Sequence, residues 1–225
     1  MGDALGQVLA PALGIAISPV PIIAVVLMLA TPRGRVNGIA FTLAWVVTLA
    51  VLSTVVVLLG SGAGAHTGGH TASWVSWVKA AAGVLFVLLG LKQWKGRPRE
   101  GHEAELPGWM KAIDTFTPGK AAGLAAALSA LNPKNLVLAV GGAVSIAGSS
   151  ASAGGKGVAV GVFVLISSLC ALLPLGVYLT GGSKSARVLE SWKGGMARHN
   201  AAIMTVLLVV MGAKFIGDAI SGLTR

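Results

Sequence analysis

Lys134 stands 13 residues from either end of an apolar run from Ala121 to Ala147, with Asn132, Pro133 and Asn135 around it. A lysine at the centre of a membrane helix costs at least about 2.5–3.5 kcal/mol. Its ammonium therefore needs a cavity, a set of carbonyls or a bound anion. The two asparagines add amide donors and acceptors, and Pro133 removes a backbone donor and frees a carbonyl. These groups suit an anionic or polar headgroup. Near the start of the chain, Ser18-Pro19-Val20-Pro21 interrupts a second apolar run in the same manner. Two such breaks meeting near the midplane would turn helix ends, with their partial charges, toward a ligand. The expected binding set is Lys134, Asn132, Asn135, Ser18, Pro19, Pro21 and Pro133.

Other chemistry is thinner. Lys214 and Asp218 are four residues apart near the end of the last run, spaced for an ion pair across one helix turn, structural or proton-coupled. His66 and His70 bracket Thr-Gly-Gly with no carboxylate or thiol nearby, which predicts a flexible loop without a metal. The single cysteine, Cys170, cannot form an internal disulfide and reads as a small buried hydrophobe. No phosphate-binding loop, nucleophile elbow or carboxylate pair occurs within a run. Neither ATP hydrolysis nor any enzymatic activity is expected, and no cofactor is called for.

These residues must be positioned by membrane helices. The chain has 225 residues, 55% hydrophobic, with 32 Gly and 11% charged, a composition of the membrane class. Six runs are long enough to cross a bilayer: 5–30, 38–60, 73–91, 121–147, 157–180 and 200–220. The first has no basic residue before it and is too long for a cleaved signal peptide. The net charge of +10 points to topology rather than to nucleic acid. Of 17 basic residues, 12 fall in or beside loops one, three and five: Arg33, Arg35, Lys92, Lys95, Arg97, Arg99, Lys111, Lys120, Lys184, Arg187, Lys193 and Arg198. Basic loops stay inside, so both termini are expected outside a cytoplasmic membrane, with the basic side attracting anionic lipid.

The chain also repeats itself. Ser18-Pro19 matches Asn132-Pro133, Gly38 matches Gly157 and Lys92 matches Lys214, at offsets of 114, 119 and 122 residues. An odd number of crossings per unit requires the units to be inverted. The expected fold is an all-α integral membrane protein: six transmembrane helices in two inverted three-helix repeats, with helices one and four broken at proline. The first repeat would span 1–94, a cytoplasmic linker 95–118 and the second repeat 119–225. In the linker, 95–106 reads as mobile, while Trp109, Met110, Ile113 and Phe116 are spaced for an amphipathic helix. Val188, Leu189, Trp192 and Met196 predict a second such helix lying in the interface before the sixth run. Pro174 predicts a kink in the fifth. Gly83 and Gly90 form a small-residue pattern suited to packing within the chain or between copies.

At Asp114-Thr-Phe-Thr-Pro-Gly-Lys-Ala-Ala-Gly123 and Leu128-Ser-Ala-Leu-Asn-Pro-Lys-Asn135, the chain resembles the GAP/Sap addressing proteins of actinobacteria, named for glycopeptidolipid and sulfolipid transport and grouped with the lysine-exporter superfamily. The resemblance covers most of the chain, and Leu131-Asn-Pro-Lys-Asn135 is its most specific part. It implies six helices, an early proline motif, an Asn-Pro motif in helix four, and export of a polar lipid or glycolipid, alone or within a larger lipid-export machinery. Ser18-Pro19-Val20-Pro21 departs from the Gly-Pro of amino-acid exporters in that superfamily. Its thiol-redox carriers hold a cysteine near each break, where this chain has Ser18 and Asn132. A small-solute (amino-acid or cation) exporter would want membrane carboxylates, and only Asp218 is offered. A non-transporting accessory subunit would not need Lys134.

Overall fold

The structure, a computed structural model, describes residues 2–67, 70–96 and 112–224. The sequence is rich in Ala, Val, Leu and Gly, so nearly every described residue sits in a helix. Where no water reaches, the backbone must satisfy its own N–H and C=O groups. The helices are α1 (Gly2–Ala16), α2 (Pro19–Leu29), α3 (Gly34–Gly62), α4 (Ser73–Lys95), α5 (Pro118–Ala130), α6 (Pro133–Ala147), α7 (Ala153–Ser167), α8 (Leu169–Thr180) and α9 (Ser185–Leu223). Only α3, α4 and α9 are individually long and apolar enough to cross a membrane. The other six helices form three bent pairs that pass the same test together: α1 with α2 (49°), α5 with α6 (63°) and α7 with α8 (56°). Counted so, the spans number up to six.

Five aromatic side chains, Phe41, Trp45, Phe86, Phe163 and Phe215, are fully buried in one core cluster. Within it Phe41 stacks on Trp45 and Phe86 on Phe215, each pair at 5.8 Å. The tightest seam joins α4 to α9 as antiparallel partners: Gly83 faces Gly212 and Ile216, and Gly90 faces Leu208 and Val209. The Gly83/Gly90 pattern thus packs inside the chain. Helix α1 lies against α6 and α7, α3 against α5 and α6, and the first half of α9 against α2 and α8.

Several expectations change. The amphipathic segment at Val188–Met196 is not a separate interfacial helix; it is the first half of α9, continuous over 39 residues. At 1.5 Å per residue that is roughly 58 Å, nearly twice a bilayer's hydrocarbon core. Gly194 and Gly195 do not end the helix. In the fifth span the bend falls at Ser168, six residues before Pro174, which sits inside α8. The histidine loop is not irregular: His66–Thr67 and His70–Thr71 pair as a short antiparallel hairpin. Among the described residues no His/Cys/Asp/Glu group suits a metal. Of the linker, Ile113–Thr115 forms one 3-10 turn, and Asn37 Nδ2 donates to Phe116 O at 3.0 Å. The segment at 97–111, with Trp109 and Met110, lies outside the described residues.

Candidate functional site at three helix breaks

Two of the breaks are built alike. Ser18 caps α2 at φ −67°, ψ 117°, and Asn132 caps α6 at φ −68°, ψ 118°, each with proline at the next position. The cause is local: proline disfavours the helical conformation for the residue before it and is pre-organised for the first helical position. Ser18, Pro19 and Pro21 are buried, whereas Pro133 is exposed.

The third break was not foreseen. Ser168 separates α7 from α8 without any proline, and both Ser167 Oγ and Ser168 Oγ are buried without a hydrogen-bond partner. Cys170 Sγ, just beyond, is 3.3 Å from Ser167 O. The signal available in the sequence was the adjacent serine pair in an otherwise apolar run.

Packing fixes how α6 faces its neighbours. A methyl on Gly14 would meet Leu138 Cδ1 at 3.1 Å, and one on Gly142 would meet Phe163 at 3.0 Å and Pro11 at 3.4 Å. Helix α6 therefore runs antiparallel to α1 and α7 in a fixed register. The first and third breaks share one cleft wall, through Ala16 and Ile17 on one side and Leu169 and Cys170 on the other.

Lys134, just past the second break, is 4% exposed. Its Nζ lies 3.8 Å from Met204 Sδ on α9, and a thioether is only a weak acceptor. Among the described residues no carboxylate pairs with the Lys134 ammonium. Unpartnered buried polar atoms sit nearby in sequence: Asn135 Oδ1 beside Lys134, and Thr205 Oγ1 beside Met204. The arrangement can hold an anion.

The asparagines also have structural tasks. Asn132 Oδ1 accepts from the Lys134 backbone N–H at 3.1 Å, capping α6. At the break the Asn132 N–H reaches back to Ala127 O, and Asn135 Nδ2 donates to Leu128 O at 2.9 Å. Asn135→Ala strips that carbonyl of its donor within an apolar surround. The variant is expected to lose roughly 1–3 kcal/mol of stability, read as a lower unfolding temperature in detergent; unchanged stability would refute the sealing role.

Lys214 and Asp218 do pair, at 2.6 Å. Sequence reading missed Lys79, which resembled a span-edge residue. It is 7% exposed, lies 3.9 Å from Asp218 Oδ2 and donates to Gln7 Oε1 at 3.4 Å, tying α1, α4 and α9 together. Beyond this, Lys156 Nζ donates to Ala147 O at 2.7 Å, placing a cation at the negative end of α6.

Long apolar helices, three bent spans and a buried cation among them fit a multi-pass helical membrane protein. More particularly, the chain belongs to the family described as Sap, sulfolipid-1-addressing protein, whose family model matches residues 8–221. No curated protein and no solved structure gave a match. The family's description links this membrane protein to lipid addressing.

Proposed function

We propose that this chain exports a polar lipid or glycolipid with an anionic headgroup across the cytoplasmic membrane, by rearrangement of two three-helix halves and without hydrolysing ATP. The observation that carries the reading is Lys134: a buried cation at the Asn132-Pro133 break whose Nζ contacts a thioether and, among the described residues, no carboxylate. An uncompensated charge in apolar surroundings is expensive, and an anionic headgroup offsets that cost. The near-identical caps at Ser18 and Asn132 support two halves of inverted topology, α1–α4 and α5–α9. The halves differ in their second span, continuous as α3 in one and broken as α7/α8 in the other. The break gives the second half a joint that the first lacks. The wider site comprises Ser18, Pro19 and Pro21 on one side and Asn132, Pro133 and Asn135 on the other. Asp218, held between Lys214 and Lys79, serves as the coupling carboxylate for a proton gradient.

The test is lipid profiling of surface-extracted and cell-retained fractions from a strain lacking the chain, with and without the native protein restored. One polar lipid should leave the surface fraction, accumulate in the cells and return on complementation. An ionophore that collapses the proton gradient should block that return. Unchanged lipids would overturn export, and export that survives the ionophore would remove Asp218 from coupling.

A further inference from the structure

Between the first half of α9 and the α2/α8 side of the bundle lies a cleft of about 530 Å³, walled by Ile22, Leu173, Pro174, Trp192, Met196 and Ile203. That volume is in the range of ligand sites, roughly 300–1,000 Å³. Apart from Ser191, His199 and the Trp192 indole N–H, the lining is hydrocarbon, thiol or thioether. A polar solute here would leave most of its hydrogen-bonding groups unmet, whereas an alkyl chain loses nothing. In a membrane-spanning protein the surrounding solvent is itself acyl chain.

The cleft has a direction. Its lining includes Ala16 and Ile17 at the first break and Leu169 and Cys170 at the third. Cys170 thus forms part of the cleft wall. On α9, Ile203 lines the cleft and its neighbour Met204 contacts the Lys134 ammonium. The lining is oily, and the cation lies beyond it, against Met204. The stretch of α9 along the cleft also carries Arg198, which favours anionic lipid beside it, while Lys193 there pairs with Glu190 at 2.8 Å.

We propose that this cleft is the acyl-chain subsite of an anionic amphiphile whose headgroup reaches Lys134. The headgroup assignment rests on the export reading above; the chain assignment rests on the cleft itself. The ligand class is one anionic head joined to at least one long alkyl chain, which a free small anion or an amino acid does not satisfy.

Photolabelling tests it on the purified full-length protein in phosphatidylcholine vesicles. The probe is phosphatidylglycerol with a diazirine in its acyl chain, compared with phosphatidylcholine carrying the same chain, and adducts are mapped by mass spectrometry. Label from the anionic probe should concentrate on 169–174 and 191–203. Leu173→Trp, which fills the cleft from α8, should lower that labelling at least about fivefold while labelling of outward-facing α3 stays constant, a built-in check of folding. Met196→Trp, from the opposite wall, should do the same. Lys134→Gln should erase the preference for the anionic probe without moving the labelled residues. Label spread evenly over all lipid-facing helices, or indifferent to both tryptophans, would overturn the subsite. A preference for the anionic probe that survives Lys134→Gln would overturn its link to Lys134. No transport is needed for this measurement, so cleft labelling alongside unchanged surface lipids in the deletion strain would sink export and leave the subsite standing.

Discussion

Lys134→Met should abolish export while leaving the protein at least as stable as the native chain. Methionine keeps the length and volume of the side chain, fills the same space beside Met204 and removes a charge that has no carboxylate partner among the described residues. Replacing buried charge by a well-packed apolar side chain is often neutral or stabilising by about 1–4 kcal/mol. Binding of an anionic headgroup would lose a desolvated charge contact worth roughly 2–5 kcal/mol, which corresponds to a fall in affinity of about 30- to 5,000-fold. A purely structural lysine gives the opposite pattern, since its loss would lower stability and spare whatever export remains. Surface-lipid recovery and detergent unfolding, measured on the same variant at matched expression, separate the two. Full restoration of the surface lipid by Lys134→Met would remove the lysine from the site and favour an accessory subunit.

What could be read from the sequence divides by range of interaction. The breaks at Ser18-Pro19 and Asn132-Pro133 were visible because proline acts on its own neighbours, independently of the rest of the fold. Lys134 was visible because a cation far from either end of an apolar run has no cheap local explanation, and the Lys214–Asp218 pair because both partners share one helix. The break at Ser168 was hidden: Pro174 drew attention six residues away, while the bend follows from how α7 and α8 each pack in the bundle. Lys79 looked like a boundary residue until Gln7 and Asp218, from two other helices, were brought to it. The dual role of Asn135 depends on which carbonyl the break leaves open, Leu128 O; composition and spacing do not reveal that. The continuity of α9 through Gly194 and Gly195 has the same origin. Two glycines weaken an isolated helix by about 1 kcal/mol each, but packing against α2 and α8 decides the outcome.

Gly83→Leu should prevent the protein from folding, with a loss well above about 3 kcal/mol. A Cβ at Gly83 would lie 2.7 Å from Ile216 Cγ1, 2.9 Å from Gly212 O and 3.0 Å from Ile216 N. Two of these three atoms are backbone and cannot swing aside. The reciprocal position is as tight: a Cβ at Gly212 would meet Val87 Cγ2 at 2.8 Å and Gly83 O at 3.0 Å. Helices in lipid gain little from hydrophobic exclusion of one another, so close backbone approach through small residues carries much of their association. Forcing α4 away from α9 would also pull apart the stacked Phe86–Phe215 pair and the Lys79–Asp218 contact. Gly161→Leu is the matched control, because a Cβ there meets nothing within 4 Å. Yield and monodispersity after detergent extraction should collapse for Gly83→Leu and hold for Gly161→Leu. A Gly83→Leu protein that folds normally and merely changes its oligomeric state would place this seam between copies instead. Since α4 and α9 carry Lys79, Lys214 and Asp218, and α9 alone carries Met204, the seam fixes the scaffold against which Lys134 is positioned. Gly83→Leu should therefore remove the folded protein and export together, while Lys134→Met removes export alone.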